Sequence, residues 1–199
     1  MIESLSYKAS DFFIRNNKIK LEDRDAFAYG LRRLILNGFM LITFSILGLI
    51  TNRFIEIYIF LLFFIPLRKY AGGFHCNNPL TCYISSCLCV MSGVYMAKYI
   101  NSIFILFILA TISMICILLL SPVQDKHKKI SQNEQKAYKR VIKRLFIINT
   151  IICIMIYNYG LFLPVKLCVS GIFIESLLVI FGVFKNLCDN KTINNPDFN

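Results

Sequence analysis

Six apolar stretches divide the chain into alternating hydrophobic and polar segments. They cover residues 34–50, 54–67, 80–97, 102–121, 145–163 and 167–184. A helix of about 20 apolar residues crosses the hydrocarbon core of a bilayer, and most of these stretches approach that length. The second stretch is short, and we expect a thinned crossing there. The pattern therefore predicts an all-α, polytopic integral membrane protein with about six transmembrane helices.

The segments that flank these stretches predict the domain organisation. Residues 1–33 have apolar side chains at helical spacing, and a charged start at 21–25 precedes a second stripe. We expect two short amphipathic helices at the membrane surface there; a helical cap packed on the bundle is an equally good interpretation. The transmembrane domain is predicted to cover 34–184. The Asn-rich segment 185–199 is predicted to be a disordered cytoplasmic tail.

Composition supports a membrane protein and changes the meaning of the charge. The chain has 199 residues, of which 57% are hydrophobic, and a net charge of +11. In a soluble protein this charge would suggest a nucleic-acid partner. Here the cations cluster at the ends of the apolar stretches, so membrane lipids and membrane topology explain them, and we expect no nucleic acid.

The positions of lysine and arginine predict the orientation in the membrane. If all six stretches cross, one side of the membrane carries only Arg53, Lys98 and Lys166 among the 22 cations. Because cytoplasmic loops are enriched in Lys and Arg, both termini and the loops at 68–79 and 122–144 should be cytoplasmic. This count also favours a real crossing at 54–67, since the basic loop would otherwise lie outside.

The polar loop between the second and third stretches carries the candidate chemistry. Asn78 and Pro79 form a good helix start, with Asn as the N-cap and Pro at the first helical position. Cys82 then falls in the first helical turn, where the partial positive charge of the helix N-terminus favours a thiolate. His75 in the same loop could take the thiol proton. A cysteine and a neighbouring imidazole are the minimum requirement for a cysteine nucleophile.

Two other interpretations of this loop stay open. Cys76 is a rival nucleophile, although adjacent side chains in an extended loop point apart. His75, Cys76 and Cys82 could together bind zinc, but their spacing matches no common zinc pattern. We therefore predict neither a metal nor a cofactor. Backbone N–H groups near Gly72-Gly73 or at the helix start could stabilise an oxyanion.

Charged residues elsewhere have structural and functional interpretations. Glu56 and Glu175 lie inside apolar stretches, where carboxylates are costly; structural pairing is the favoured role for both. The lysines of the loop at 122–144 could anchor the protein to anionic lipids. Alternatively, they could bind an acidic peptide by electrostatic attraction.

The motif of Arg68, Gly72-Gly73-Phe74-His75 and then Cys82 resembles the signature of the AgrB (accessory gene regulator B) family. The similarity extends to the length, the charged N-terminal stretch, the six hydrophobic segments and the basic loop after the fourth. Family members are membrane-embedded cysteine endopeptidases of bacterial quorum sensing. The resemblance implies a homodimer in the bacterial cell membrane. The competing class is a non-catalytic membrane protein that binds or transports an anionic peptide or lipid.

The resemblance also implies a reaction and its residues. The substrate would be a precursor peptide of the AgrD type, whose C-terminal part is removed through a thioester acyl-enzyme before the remainder closes into a thiolactone or lactone. His75 would be the base and Cys82 the nucleophile, with Arg68, Gly72 and Gly73 in supporting roles. The acidic part of the precursor would dock on the basic loop, at Lys126, Lys128 and Lys129.

Overall fold

The computed structural model describes residues 2–16, 19–74, 78–123 and 131–193. Within these residues the chain forms seven α-helices and a short 3-10 turn. The helices are α1 (Ile2–Arg15), α2 (Arg24–Ile50), α3 (Phe54–Ala71), α4 (Pro79–Tyr99), α5 (Ile103–Leu120), α6 (Gln132–Asn158) and α7 (Phe162–Ile193). The predicted all-α class is confirmed.

Five of these helices, α2, α4, α5, α6 and α7, are long and apolar enough to cross a membrane. This confirms the prediction of a polytopic membrane protein. Helix α3 differs because its 18 residues include Glu56, Arg68 and Lys69. At 1.5 Å per residue it is about 27 Å long, slightly less than a typical hydrocarbon core. Its crossing of the membrane stays a prediction.

The N-terminal region, residues 1–54, forms one of two compact units. Helix α1 packs against α2, where the Arg24 guanidinium donates hydrogen bonds to the Asp11 carboxylate at 2.7 and 3.0 Å. The second predicted surface helix does not exist as a separate element, because α2 runs without a break from Arg24 to Ile50. No proline interrupts this stretch, so the amphipathic turns continue directly into the first apolar stretch.

The C-terminal end of the described chain is also more helical than predicted. Helix α7 continues to Ile193, so the prediction of a disordered segment is wrong for residues 185–193. Glycine and proline are both absent between Val183 and Ile193, and a helix that is packed over most of its length extends into such a sequence at little cost.

Helix α7 is the centre of the second unit, residues 55–199. It packs against α4, α5 and α6. Of its membrane-length segment 61% is buried, against at most 22% in the other four spanning helices. Side chains of α3, α5, α6 and α7 form the buried cluster around it, namely Phe63, Leu67, Ala71, Ile117, Ile142, Phe146, Cys168, Ile172 and Val179. Helix α7 is therefore the element on which the rest of this unit is assembled.

Close packing in this unit depends on a glycine of α4. Phe60 of α3 is fully buried, and its ring stacks on that of Phe64 with the centroids 5.3 Å apart. The Phe60 ring occupies the space that a Cβ atom at Gly93 would need. The two helices can approach so closely because position 93 has no side chain.

Replacing Gly93 by valine should therefore destabilise the fold, since the buried Phe60 ring would have to move. Overpacking of this kind costs about 1–3 kcal/mol. The midpoint of thermal unfolding of the detergent-solubilised protein measures the effect. Gly38→Val is the matched control, because a Cβ at this helical glycine meets no atom within 4 Å. Equal losses in the two variants would contradict the assigned role of the Phe60 contact.

Candidate active site

The chain leaves α3 through two glycines in conformations that favour glycine. Gly72 has φ +74° and Gly73 has φ +124°, which residues with a Cβ rarely adopt. They turn the backbone sharply after Ala71 and begin the segment 72–74, here called the glycine loop. Three sets of contacts hold this turn in place.

Arg68 folds back from the last turn of α3 and fixes the glycine loop. Its Nη1 donates to the carbonyl oxygen of Gly72 at 2.7 Å, and its Nη2 donates to that of Phe74 at 2.5 Å. A planar guanidinium presents its N–H groups in a fixed fork, so two such bonds set the orientation of both peptide groups. Gly73 lies against the guanidinium, which leaves no room for a Cβ.

Helix α7 holds the other side of the glycine loop. The Phe74 N–H donates to the carbonyl oxygen of Leu178 at 2.7 Å. A Cβ at Gly182 would lie 2.7 Å from the carbonyl carbon of Gly73, so the loop backbone rests directly on the helix. The Lys185 ammonium lies 5.3 Å from the centroid of the Phe74 ring, within range of a cation–π interaction.

A third contact comes from the segment that follows α5. The Val123 N–H donates to the carbonyl oxygen of Ala71 at 2.9 Å, and Val123 pairs with Gly72 in an isolated β-bridge. The glycine loop is thus held by Arg68, by α7 and by Val123. The N–H and carbonyl groups of Gly72 and Phe74 all have hydrogen-bond partners within the protein.

Next to Arg68 lies the carboxyl group of Glu175, for which the sequence predicted pairing but no particular partner. The Glu175 side chain is fully buried in α7, and its Oε1 is 3.7 Å from Nη1 of Arg68. Neither carboxylate oxygen has a hydrogen-bond partner among the described residues. The expected pairing of Glu175 is therefore with the arginine that holds the glycine loop. The only sequence signal was a carboxylate inside an otherwise apolar stretch.

Cys82 has the predicted helical position. Asn78 is the N-cap of α4, its side chain accepts a hydrogen bond from the Leu80 N–H at 3.2 Å, and Pro79 is the first helical residue. The Cys82 N–H donates to the carbonyl oxygen of Asn78 at 3.0 Å, which places Cys82 in the first turn. Its thiol is free and half-buried.

Several predicted residues lie outside the described part of the chain. These are His75, its neighbour Cys76, and the docking lysines Lys126, Lys128 and Lys129. The distance between the glycine loop and the start of α4 is still limited. Asn78 is four positions after Phe74, so the two residues can lie at most about 14 Å apart. Among the described residues no group of three His, Cys, Asp or Glu side chains could hold a metal ion.

An apolar cavity of about 460 Å³ lies between α5, α6 and α7, away from the glycine loop. The polar residues of its lining are Asn101, Tyr157 and Lys166. The Lys166 Nζ donates a hydrogen bond to the Asn101 Oδ1 at 3.0 Å. Lys166 precedes Leu178 by twelve residues, which is about 18 Å along α7. The cavity includes none of the predicted site residues.

These features define a multi-pass helical membrane protein with a candidate cysteine site where a helix begins beside a fixed glycine loop. The family model of accessory gene regulator B (AgrB) matches residues 6–186, and the chain belongs to the AgrB family. The resemblance inferred from the sequence is confirmed. Membership suggests involvement in the processing of agr quorum-sensing peptides. Neither the comparison with curated proteins nor that with solved structures gives a significant match.

Replacing Gly182 by alanine should displace the glycine loop from α7 and weaken the hydrogen bond between Phe74 and Leu178. Loss of one hydrogen bond worth about 1 kcal/mol should speed amide exchange at residues 72–74 by roughly fivefold. Hydrogen exchange followed by mass spectrometry measures this rate.

Gly171→Ala on the same helix is the control for this substitution. Its added Cβ would meet only Phe60 and Phe64 at ordinary contact distances of 3.7–3.9 Å. We expect it to leave exchange in the glycine loop unchanged. If the glycine loop exchanges as slowly in Gly182→Ala as in the parent protein, the close approach of the loop backbone to α7 is contradicted.

Proposed function

We propose that this protein is a membrane-embedded cysteine endopeptidase that removes the C-terminal part of an AgrD-type precursor peptide and promotes cyclisation of the remainder. The observation that carries the proposal is the position of Cys82, a free, half-buried thiol in the first turn of α4. The short connection of this helix start to the glycine loop supports it, since the segment between them contains His75.

The proposed reaction begins with proton transfer from the Cys82 thiol to His75. The Cys82 Sγ attacks the scissile carbonyl carbon, and the C–N bond breaks as His75 returns the proton to the leaving amine. The products are the free C-terminal peptide and a thioester between Cys82 and the new carboxyl end. A thiol or hydroxyl within the retained peptide then attacks the thioester carbonyl, which closes the thiolactone or lactone ring and releases Cys82.

A site at the rim of the bilayer suits this second step. The thioester keeps the acyl group activated, so ring closure need not start from an unreactive carboxylate. Water competes for the same carbonyl carbon, and its exclusion favours cyclisation over hydrolysis. The half-buried position of Cys82 supports this requirement.

The basic surface of α6 supports an acidic substrate. Helix α6 begins with a capping box between Ser131 and Glu134, directly after the loop that contains the predicted docking lysines. Its first turns expose a series of cations, namely Lys136, Lys139, Arg140, Lys143 and Arg144. They extend the positive charge of that loop, and such a surface attracts an acidic peptide from a distance. We propose that Lys126, Lys128 and Lys129 complete it.

The proposal includes an orientation and an assembly. Both termini, the loop at 68–79 and the basic loop face the cytoplasm, so a newly made precursor meets the site without crossing the membrane. The asymmetry of lysine and arginine along the chain supports this orientation. A homodimer in the bacterial cell membrane is the assembly that the family resemblance implies.

Cys82→Ala and His75→Ala should each reduce precursor cleavage by roughly a thousandfold or more, because each removes a group that takes part in bond breaking. Both variants should still insert into the membrane. Mass spectrometry of the peptides from cells that co-express the precursor detects cleavage and cyclisation.

Cys87→Ala is the matched control, a half-buried cysteine further along α4 that should remain dispensable. Cleavage that persists in Cys82→Ala but is lost in Cys76→Ala would show that Cys76, and not Cys82, is the nucleophile. A parent protein that binds the precursor and never cleaves it would support a binding or transport protein instead.

Replacing Lys126, Lys128 and Lys129 together by glutamine should raise the KM for the precursor by about tenfold at low salt, with kcat little changed. The difference should shrink as salt is added, because screening weakens attraction between exposed charges. The triple glutamine replacement of Arg53, Lys98 and Lys166, predicted to lie on the other side of the membrane, is the control. An unchanged KM at low salt would reject the docking role.

A further inference from the structure

We propose that Glu175 is a positioning residue for peptide cleavage, and that it acts through Arg68 to set the conformation of the glycine loop. This inference rests on the proposed cysteine peptidase function. It concerns a residue on the last helix, far in sequence from the catalytic motif. The chain of contacts that supports it runs from the Glu175 carboxylate to the Arg68 guanidinium, and from there to two backbone carbonyl groups.

The first step is the position of Glu175 itself. Its side chain is 0% exposed, and both oxygens lack a hydrogen-bond partner among the described residues. Burying a carboxylate is costly unless an opposite charge compensates for it. The Arg68 guanidinium, at 3.7 Å, is the cation that the structure places against it. Within the described residues, Arg68 is therefore the side chain that the structure pairs with Glu175.

The second step is what Arg68 does with its N–H groups. At 3.7 Å, Nη1 is too far from Oε1 for a direct hydrogen bond, and it donates instead to the carbonyl oxygen of Gly72. Nη2 donates to the carbonyl oxygen of Phe74. The guanidinium thus lies between the Glu175 carboxyl group on α7 and the two carbonyl groups of the loop. Moving or removing that carboxyl group changes where the guanidinium rests, and the loop moves with it.

The third step is the arrangement of α7. Glu175, Leu178 and Gly182 are three and seven residues apart, which puts them on one face of the helix. Glu175 faces Arg68, the Leu178 carbonyl accepts from the Phe74 N–H, and Gly182 lets the loop backbone approach. One face of α7 therefore supplies a carboxyl group for Arg68, a hydrogen-bond acceptor for the loop and the space that the loop backbone occupies.

The fourth step connects the loop to the chemistry. Phe74 directly precedes His75, the proposed base. A shift of about 1 Å in a catalytic group can cost a hundredfold in rate, whereas substrate binding at a separate basic surface is unaffected by it. Loss of the Glu175 carboxyl group should therefore lower kcat and leave KM nearly unchanged.

The test compares Glu175→Gln, Arg68→Gln and the double variant for cleavage of the precursor peptide. Glu175→Gln should lower kcat by about tenfold or more and change KM by less than about twofold. In the Arg68→Gln background the same substitution should have little further effect, because the residue through which it acts is absent. Unchanged kcat in Glu175→Gln, a change confined to KM, or losses that multiply in the double variant would each overturn the proposal.

Ser176→Ala is the matched control on α7. Ser176 is buried beside Glu175 in sequence, but its hydroxyl donates within its own helix, to the carbonyl oxygen of Phe173 at 2.7 Å. This variant should keep the parent kcat. An equal loss of kcat in Ser176→Ala would attribute the effect to general disturbance of α7 and would overturn the positioning role.

Amide exchange gives a measurement that needs no cleavage. Glu175→Gln should speed exchange at residues 72–74 and leave exchange in α5 as in the parent protein; equal exchange in the loop overturns the proposal. If Glu175→Gln fails to fold, Glu175→Asp, which keeps the carboxyl group but places it further from Arg68, should fold and show both effects in smaller measure. Unaltered kcat and amide exchange in the Glu175→Asp variant would also overturn the proposal.

The proposed function fails by a different observation. Cleavage that is equally fast in both Cys82→Ala and Cys76→Ala rejects the cysteine peptidase, whatever Glu175 does. Cleavage that depends on Cys82 and is indifferent to Glu175 rejects only the positioning role. The two failures are therefore distinguishable in one set of variants.

Discussion

The contact between Arg68 and the backbone of the glycine loop is the interaction on which the site depends. Peptide groups that are shielded from water need hydrogen-bond partners within the protein. Arg68 donates hydrogen bonds to the carbonyl oxygens of Gly72 and Phe74, and the carbonyl oxygen of Leu178 in α7 accepts one from the Phe74 N–H. The Arg68 guanidinium is partly buried, and the fully buried carboxyl group of Glu175 lies 3.7 Å from it.

Local rules were sufficient for the parts of the fold and site that depend on neighbouring residues. An Asn followed by Pro begins α4 where the sequence predicted, and Cys82 lies in its first turn. The left-handed conformations of Gly72 and Gly73 are a property of glycine itself. Apolar length likewise predicted a helical membrane protein, because a bilayer requires helices with satisfied backbones.

The remainder depends on tertiary contacts that the order of residues does not contain. Sequence analysis found Glu175 and expected a partner for it, but Arg68 lies more than a hundred positions away, and no spacing rule connects them. The helix ends were also misplaced. Helix α2 includes the amphipathic turns before the first span, and α7 extends to Ile193, because packing and the absence of proline extend helices beyond their apolar segments.

Stability alone does not explain why Glu175 and Arg68 are paired. A buried ion pair is often no more stabilising than apolar side chains of the same volume, because desolvation offsets the attraction. The cluster of buried side chains around α7 is apolar. An apolar residue at position 175, such as leucine, would leave the Arg68 guanidinium without the carboxyl group that lies beside it. The pair is better explained by the orientation it gives to two peptide groups than by the stability it adds.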